Sequence, residues 1–341
     1  MREWGVTYMN KVLKTVFRMA LAMLAVGMVI RCAGVYMAYA AEPGRKGGFH
    51  KEYVVAQDGS GDFTTIQDAV DNVHHGDTLI IRPGVYVESV QVLDKELHIK
   101  GSGRDECMLL YDTVSYMYAP LEIAAGSVSD MTIWGVHVRE REPSGVAFTE
   151  EELVRMVARY GEELAEYNIE KYEKYMAYAV HADSDFSYGR KLQFVNCRIV
   201  SENGACVGMG SRGGEEIVFR NCELLSRTKL PCIFLHDSAL PDLGGETRFV
   251  LDDCFLQKNS SGDIARFDCM GDFNNFTFVF TNVTADIPGD LSERKLFQIN
   301  NCAGDSANGW CGLHNTRLSR ESSGNSIDAM NWSADRVSAY E

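Results

Sequence analysis

The 341-residue chain is poor in proline, with seven in all, so no long proline-rich linker divides it. Basic side chains are the minority: 33 Lys and Arg stand against 48 Asp and Glu, a formal net charge of −15. An acidic protein of this kind repels nucleic acid and anionic membrane surfaces, so neither is expected as a partner. Ten cysteines occur, yet no C-x-x-C pair is among them, which excludes zinc-ribbon spacing. No apolar run approaches the ~20 residues of a membrane span, the longest being Met19–Ile30.

That run has a specific context. Lys11, Lys14 and Arg18 precede it, and Ala38 and Ala40 follow in the small-residue positions of a cleavage site. The pattern predicts a signal peptide over residues 1–40, with Met9 an alternative start, and hence a secreted, extracellular protein. The competing reading is a retained anchor. Residues 1–40 hold five basic side chains and one acidic one, so the remainder carries −19 and nine cysteines. Those cysteines lie within apolar stretches such as "FVNCRI", "FRNCEL" and "LDDCFL", as small buried hydrophobes do.

Four segments repeat one pattern: "LQFVNCRIVS", "IVFRNCELLS", "FVLDDCFLQK" and "FVFTNVTADI". Each is an apolar strand, then Asn196, Asn221, Asp253 or Asn282, then Cys or Val, then more apolar residues. The spacings of 25, 32 and 29 residues mark a solenoid, and strand-rich repeats with no helix between them mark a parallel β-helix. Asn and Asp at equivalent corners tolerate left-handed backbone and can hydrogen-bond from coil to coil.

The expected fold is therefore all-β: a right-handed parallel β-helix solenoid over residues 41–302. A short capping helix should begin it, with Thr64 and Gln67 in capping-box spacing and Ile66, Ala69, Val70 and Val73 on one face. "GVYVESVQV" predicts a strand alternating on Val85, Val87 and Val90. A helical insertion is expected at 149–178, with Leu153, Met156, Val157, Tyr160 and Leu164 on its apolar face, packed along the solenoid or walling a groove. Residues 303–341, rich in Ser, Asn and Gly, predict a C-terminal cap or tail anchored by Trp310 and Trp332.

"VVAQDGSGDFTTIQDAVDNV", "IIRPGVYVESVQV" and "LHIKGSGRDECML" resemble the opening of the pectin methylesterase (pectinesterase) family, closely over about residues 53–110. The likeness continues more loosely through "YAVHADSD" and "LQFVNCRI". It implies a secreted right-handed β-helix acting on cell-wall pectin. In that family one aspartate attacks the methyl ester, a second is the general acid and an arginine orients the nucleophile, within Q-D-T, D-F-x-F-G and G-R-P-W motifs. This chain departs from all three. "ENGACVGMGS" stands where Q-D-T belongs, "PCIFLHDS" where D-F-x-F-G belongs, with Cys232 near the nucleophile's place, and G-R-P-W is absent. Tyr178 replaces the first Gln of Q-A-V-A-L.

Alignment of the coils on their Asn-Cys corners places other polar residues in neighbouring outward rows. His181, Asp183, His236 and Asp268 are the candidate catalytic residues, since His beside Asp suits acid–base work. Arg212, Asp237 and Arg266 are candidates for binding substrate hydroxyls or carboxylates. Asp183, Asp185 and Asp268 offer hard oxygens of the kind calcium takes, an arrangement resembling the pectate lyase variant of the architecture with Arg266 as base; otherwise no metal or cofactor is implied. Equally, Asp and His near turns often only satisfy backbone groups. Two functions stand open: a monomeric secreted carbohydrate-active enzyme, either a carbohydrate esterase or a polysaccharide lyase, acting on pectin-like polysaccharide through a divergent site, and a non-catalytic glycan-binding or adhesion module.

Overall fold

A computed structural model describes residues 50–112, 119–136, 154, 157, 178–183, 186–202, 204–210, 213–236, 245–260, 263–269, 274–286, 297–301, 308–314, 317–318, 327–330 and 337–340. Side chains are described for all of these except 236, 268–269, 274–276 and those from 297 onward. Residues 1–49 and 50–341 form separate units, and the leader expected over 1–40 lies outside the described residues. Among the described residues no helix is long and apolar enough to cross a membrane.

Among the described residues every strand pairing is parallel, and the strands stack in three sheets of ten, eight and eight. Each coil gives one strand to each sheet in turn. In one coil these are β11 (Lys191–Val195), β12 (Arg198–Ser201) and β13 (Ala205–Gly210). In the next they are β14 (Glu216–Arg220), β15 (Glu223–Ser226) and β16 (Ile233–His236). This winding is the right-handed parallel β-helix that the repeats predict, the hand that parallel crossovers take.

The core follows from side-chain alternation along each strand. In the first sheet Phe194 stands beside Phe219 in one inward row and Phe249 beside Phe278 in the next, and Phe194 stacks on Phe219 with centroids 4.9 Å apart and planes 5° from parallel. Between the first and second sheets five successive coils turn on one residue. Asp130, Asn196, Asn221, Asp253 and Asn282 all have φ between 52° and 57°. A left-handed residue is needed there, and the short polar side chains accept that backbone while bonding along the ladder. Asn196 Nδ2 donates to Asp130 Oδ1 at 2.8 Å, and Asn221 Nδ2 to Asn196 Oδ1 at 3.2 Å. The next residue turns inward: Cys197, Cys222 and Cys254 are buried free thiols. They donate to the carbonyls of Val128, Phe194 and Phe219 in the preceding coil.

Helix α1 (Ile66–Asn72) covers the first coil and buries Ile66, Ala69 and Val70, with Val73 just beyond it. Its N-cap is Thr65, one residue later than the expected Thr64, because Thr65 Oγ1 accepts from the Asp68 amide. The Glu88 carboxylate accepts the amides of Ile66 and Gln67, each at 2.8 Å, and so caps the first turn from the neighbouring strand region.

Strand β3 (Gly84–Val87) runs in the opposite phase to the sequence expectation. Val85 and Val87 are 51% and 68% exposed, while Tyr86 is buried and donates its hydroxyl to the carbonyls of Val55 and Arg82. Two hydrogen bonds let the larger ring fill the core, which displaces the valines outward.

Of the segment 149–178, only Val154, Val157 and Tyr178 are described; Val154 and Val157 are helical, 62% and 40% exposed. The rest of that segment, Trp332 and the side chain of Trp310 lie outside the described residues. From residue 308 onward, where the sequence predicts a cap or tail, the described residues stack as further strands. β23 (Asn308–His314) pairs with β20 (Asn274–Thr281), β25 (Ile327–Met330) with β22 (Phe297–Asn301), and β26 (Val337–Tyr340) with β23.

Candidate functional site on the outward face of the third sheet

The third sheet runs through β4 (Val90–Val92), β7 (Leu121–Ile123), β10 (Tyr178–Ala182), β13, β16, β19 (Ala265–Cys269), β22 and β25. Its inward rows are apolar, as in Leu121, Val180, Val207 and Ile233. The alternate positions form an outward row whose register is Gln91, Glu122, His181, Gly208, Phe234, Arg266, Gln298 and Asp328. Two residues further along each strand lies a second row. There Gly210 pairs with His236, Asp268 pairs with Asn300, and the register that sets Leu235 beside Phe267 continues to His236 and Asp268. The Asp183 carboxyl group lies in the space a side chain at Gly210 would fill.

The first row holds a buried ionisable pair. Glu122 is 1% exposed and His181 4%, although both point away from the core, and His181 Nδ1 lies 3.4 Å from Glu122 Oε1. The Tyr178 ring lies flat against the imidazole, with centroids 5.4 Å apart and planes 6° from parallel. Tyr178 occupies the space over Gly208, where any Cβ would strike the ring. Further along the row, the Arg266 guanidinium carbon sits 5.7 Å from the centroid of the Phe234 ring, a cation–π arrangement that leaves both a planar cation and an aromatic face on the same row.

The candidate residues thus divide between the two rows. His181 and Arg266 lie in the first, and Asp183 lies beside the second, where backbone register also places His236 and Asp268. Arg212 and Asp237 lie outside the described residues, as does Asp185 of the candidate calcium set. Among the described residues no three His, Cys, Asp or Glu side chains converge as metal ligands. Glu122 and Tyr178 were not among the candidates. The signal for Glu122 is a carboxylate set between two core positions in the three-residue strand "LEI"; for Tyr178 it is an aromatic in place of the motif's Gln.

The positions where the resemblance places carboxylates are built differently. Both outward positions at the end of β13 are glycine, Gly208 and Gly210. Cys232 is fully buried, and its Sγ donates to the carbonyls of Leu224 and Gln257 at 3.4 and 3.2 Å. A thiol directed at core carbonyls is a packing group and not a nucleophile facing substrate.

Fold and face together define a parallel β-helix with a polar and aromatic ladder along one sheet. No family model matches the chain, and no curated protein matches it. Among solved structures it is similar to a pectin methylesterase mutant in complex with a hexasaccharide, at 16% identity and a TM-score of 0.48, covering 84% of this chain and 87% of that one. It is similar also to the pectin methylesterase from Yersinia enterocolitica, at 14% identity and a TM-score of 0.44, covering 80% and 95%. The carrot pectin methylesterase is similar at 14% identity and a TM-score of 0.40, covering 85% and 88%.

Proposed function

We propose that this is a secreted carbohydrate-active β-helix protein that acts on a pectin-like polysaccharide along the outward face of the third sheet, through a site divergent from the pectinesterase pattern. The observation that carries the reading is the first row itself, in which a buried Glu122–His181 pair, an aromatic face at Phe234 and a cation at Arg266 follow one another in strand register. Strands about 4.8 Å apart bring these groups within the length of a few sugar residues. Phe234 offers a face for the apolar side of a pyranose, Arg266 a partner for a uronate carboxylate, and His181 a proton acceptor. Asp183, His236 and Asp268 supply the acidic and basic groups of the adjoining row.

One observation favours a second reading, a non-catalytic glycan-binding module on the same scaffold. On β13 the outward positions are Gly208 and Gly210, and the space over them holds Tyr178 and Asp183. A single experiment separates the readings. The protein is incubated with highly methylated pectin, polygalacturonate and a neutral polysaccharide, and binding, methanol release and unsaturated uronide are measured. Uronide-selective binding with product supports the enzyme, and uronide-selective binding without product supports the module. Equal or absent binding to all three overturns both.

A further inference from the structure

We infer that the open edge of β3 is a strand-addition site, which takes an extended, basic polypeptide segment of a partner protein as one further strand of the second sheet. The site lies on the N-terminal coil and owes nothing to the glycan face of the third sheet.

Each of the three sheets begins on that coil, with β1 (Glu52–Val55), β3 and β4. Two of these edges are closed. On β1 the Val54 carbonyl accepts the amides of Asp62 and Phe63, Asp62 Oδ2 accepts the Val54 amide, and the Phe63 carbonyl accepts the Ala56 amide. On β4 the Gln91 amide donates to Gln67 Oε1 of α1 at 2.7 Å. The peptide groups of β3 alternate. The Gly84 amide donates to the Glu106 carbonyl just ahead of β6 (Cys107–Asp112), so Gly84 and Tyr86 bond to β6 while Val85 and Val87 turn their N–H and C=O groups the other way. Among the described residues one group meets that edge, the Gln57 side-chain amide, which donates to the Val85 carbonyl at 2.9 Å.

The side chains agree with the backbone. Val85 and Val87 are the exposed large apolar side chains of the described strands. Their rows continue in register over Met108 and Leu110, and from Leu110 to Trp134. An added strand would lengthen these rows by one position and cover the valines with its own side chains.

The occupant follows from chemistry. Donors and acceptors alternating at strand spacing are matched by another extended main chain, whereas sugar hydroxyls lack that period. The surroundings select its charge. Asp58 beside Gln57, and Asp105 and Glu106 ahead of β6, are exposed carboxylates set against Arg82 before β3, on a chain of net charge −15. A basic segment is attracted there and an acidic one repelled. The four residues of β3 restrict pairing to a short segment, and Gln57 must swing aside to release the Val85 carbonyl.

The test is titration calorimetry of the full-length protein at low salt with a short capped peptide that alternates Lys and Val. Saturable binding is expected. The same peptide with methylated backbone amides should bind at least fivefold more weakly, and a counterpart alternating Glu and Val should not bind. Gln57→Ala uncovers the Val85 carbonyl and should tighten binding at least twofold. Val87→Pro removes an edge N–H that β6 does not use and should weaken it at least fivefold. Should Val87→Pro fail to fold, the methylated peptide and Gln57→Ala decide. Absence of saturable binding, or equal binding of the methylated or the Glu–Val peptide, overturns the inference. So does concentration-dependent dimerisation of Gln57→Ala in sedimentation, which would make the occupant a second copy of this chain. No glycan enters these measurements, so the proposed function stands or falls separately.

Discussion

Asn221 donates its side-chain amide to Asn196 Oδ1 across neighbouring coils at 3.2 Å, each residue in left-handed backbone. The bond joins two corners whose conformation Ala adopts only at a cost of roughly 1–2 kcal/mol. Asn221→Ala should therefore lower unfolding stability by about 1–2 kcal/mol, measured by denaturant titration, while Asn221→Gly, free of the Cβ penalty, should lose less than half of that. Equal losses would mean the ladder bond outweighs the backbone.

The buried thiols predict a pH dependence. Burial pushes the Cys107 thiol up to about 11 from the ordinary 9.0, and Cys222 and Cys254 are raised as well, chiefly by the neighbouring thiols of Cys197 and Cys222 respectively. The folded state holds these protons more tightly than the unfolded state, so the associated stability is intact below about pH 9 and is lost as pH rises toward 11 and beyond. Unfolding midpoints measured between pH 7 and pH 11 should fall above pH 9. A flat profile there would contradict the burial of Cys107.

The same cysteines should be inert in the folded protein. At least six thiols, Cys107, Cys197, Cys206, Cys222, Cys232 and Cys254, should titrate after denaturation without reductant, and essentially none of these six before it. Fewer than six would mean that some are bridged.

Gly208 and Tyr178 should be coupled. A Cβ at position 208 meets the Tyr178 ring, so Gly208→Ala should destabilise by about 1–3 kcal/mol through overpacking. In the double variant Gly208→Ala with Tyr178→Ala, the added cost of the glycine substitution should largely vanish. Additive losses would show that the ring does not depend on Gly208.

Arg266 tests the ligand face. Arg266→Ala should weaken uronide binding at least fivefold, measured by calorimetry, with thermal stability within about 0.5 kcal/mol of wild type, as for most partly exposed positions. Arg266→Lys should recover part of the affinity, since charge remains while the planar fork is lost. Unchanged affinity in Arg266→Ala would remove this residue from the site.

Some of this was legible from the sequence and some was not, for physical reasons. The corners were legible because one left-handed position per coil admits few residue types, so Asn196, Asn221, Asp253 and Asn282 recur against changing strands. The phase of β3 was not, because Val-Tyr-Val alternates equally well from either face and only the Tyr86 hydrogen bonds decide between them. His181, Asp183, His236 and Asp268 were found as chemistry-bearing residues, but their division into two rows is a matter of register that sequence spacing leaves open by two positions. Glu122 was missed because a lone carboxylate in a short strand looks like any solvated surface residue until the imidazole of the next coil is set beside it.

Glu122 and His181 are 59 residues apart in sequence, and Asp130 and Asn196 are 66 apart, whereas Asn196 and Asn221, one coil later, are separated by only 25. Closing the longer loops costs somewhat more chain entropy, about 0.6 kcal/mol for each doubling of length. Folding therefore has a natural seam between the coil that ends at Val136 and the coil strands that resume at Tyr178, with short-range stacking able to proceed on either side before the two blocks join. The imidazole–carboxylate pair lies across that seam. It can form only when that joint closes, which makes the assembled pair a chemical marker that the two blocks have met.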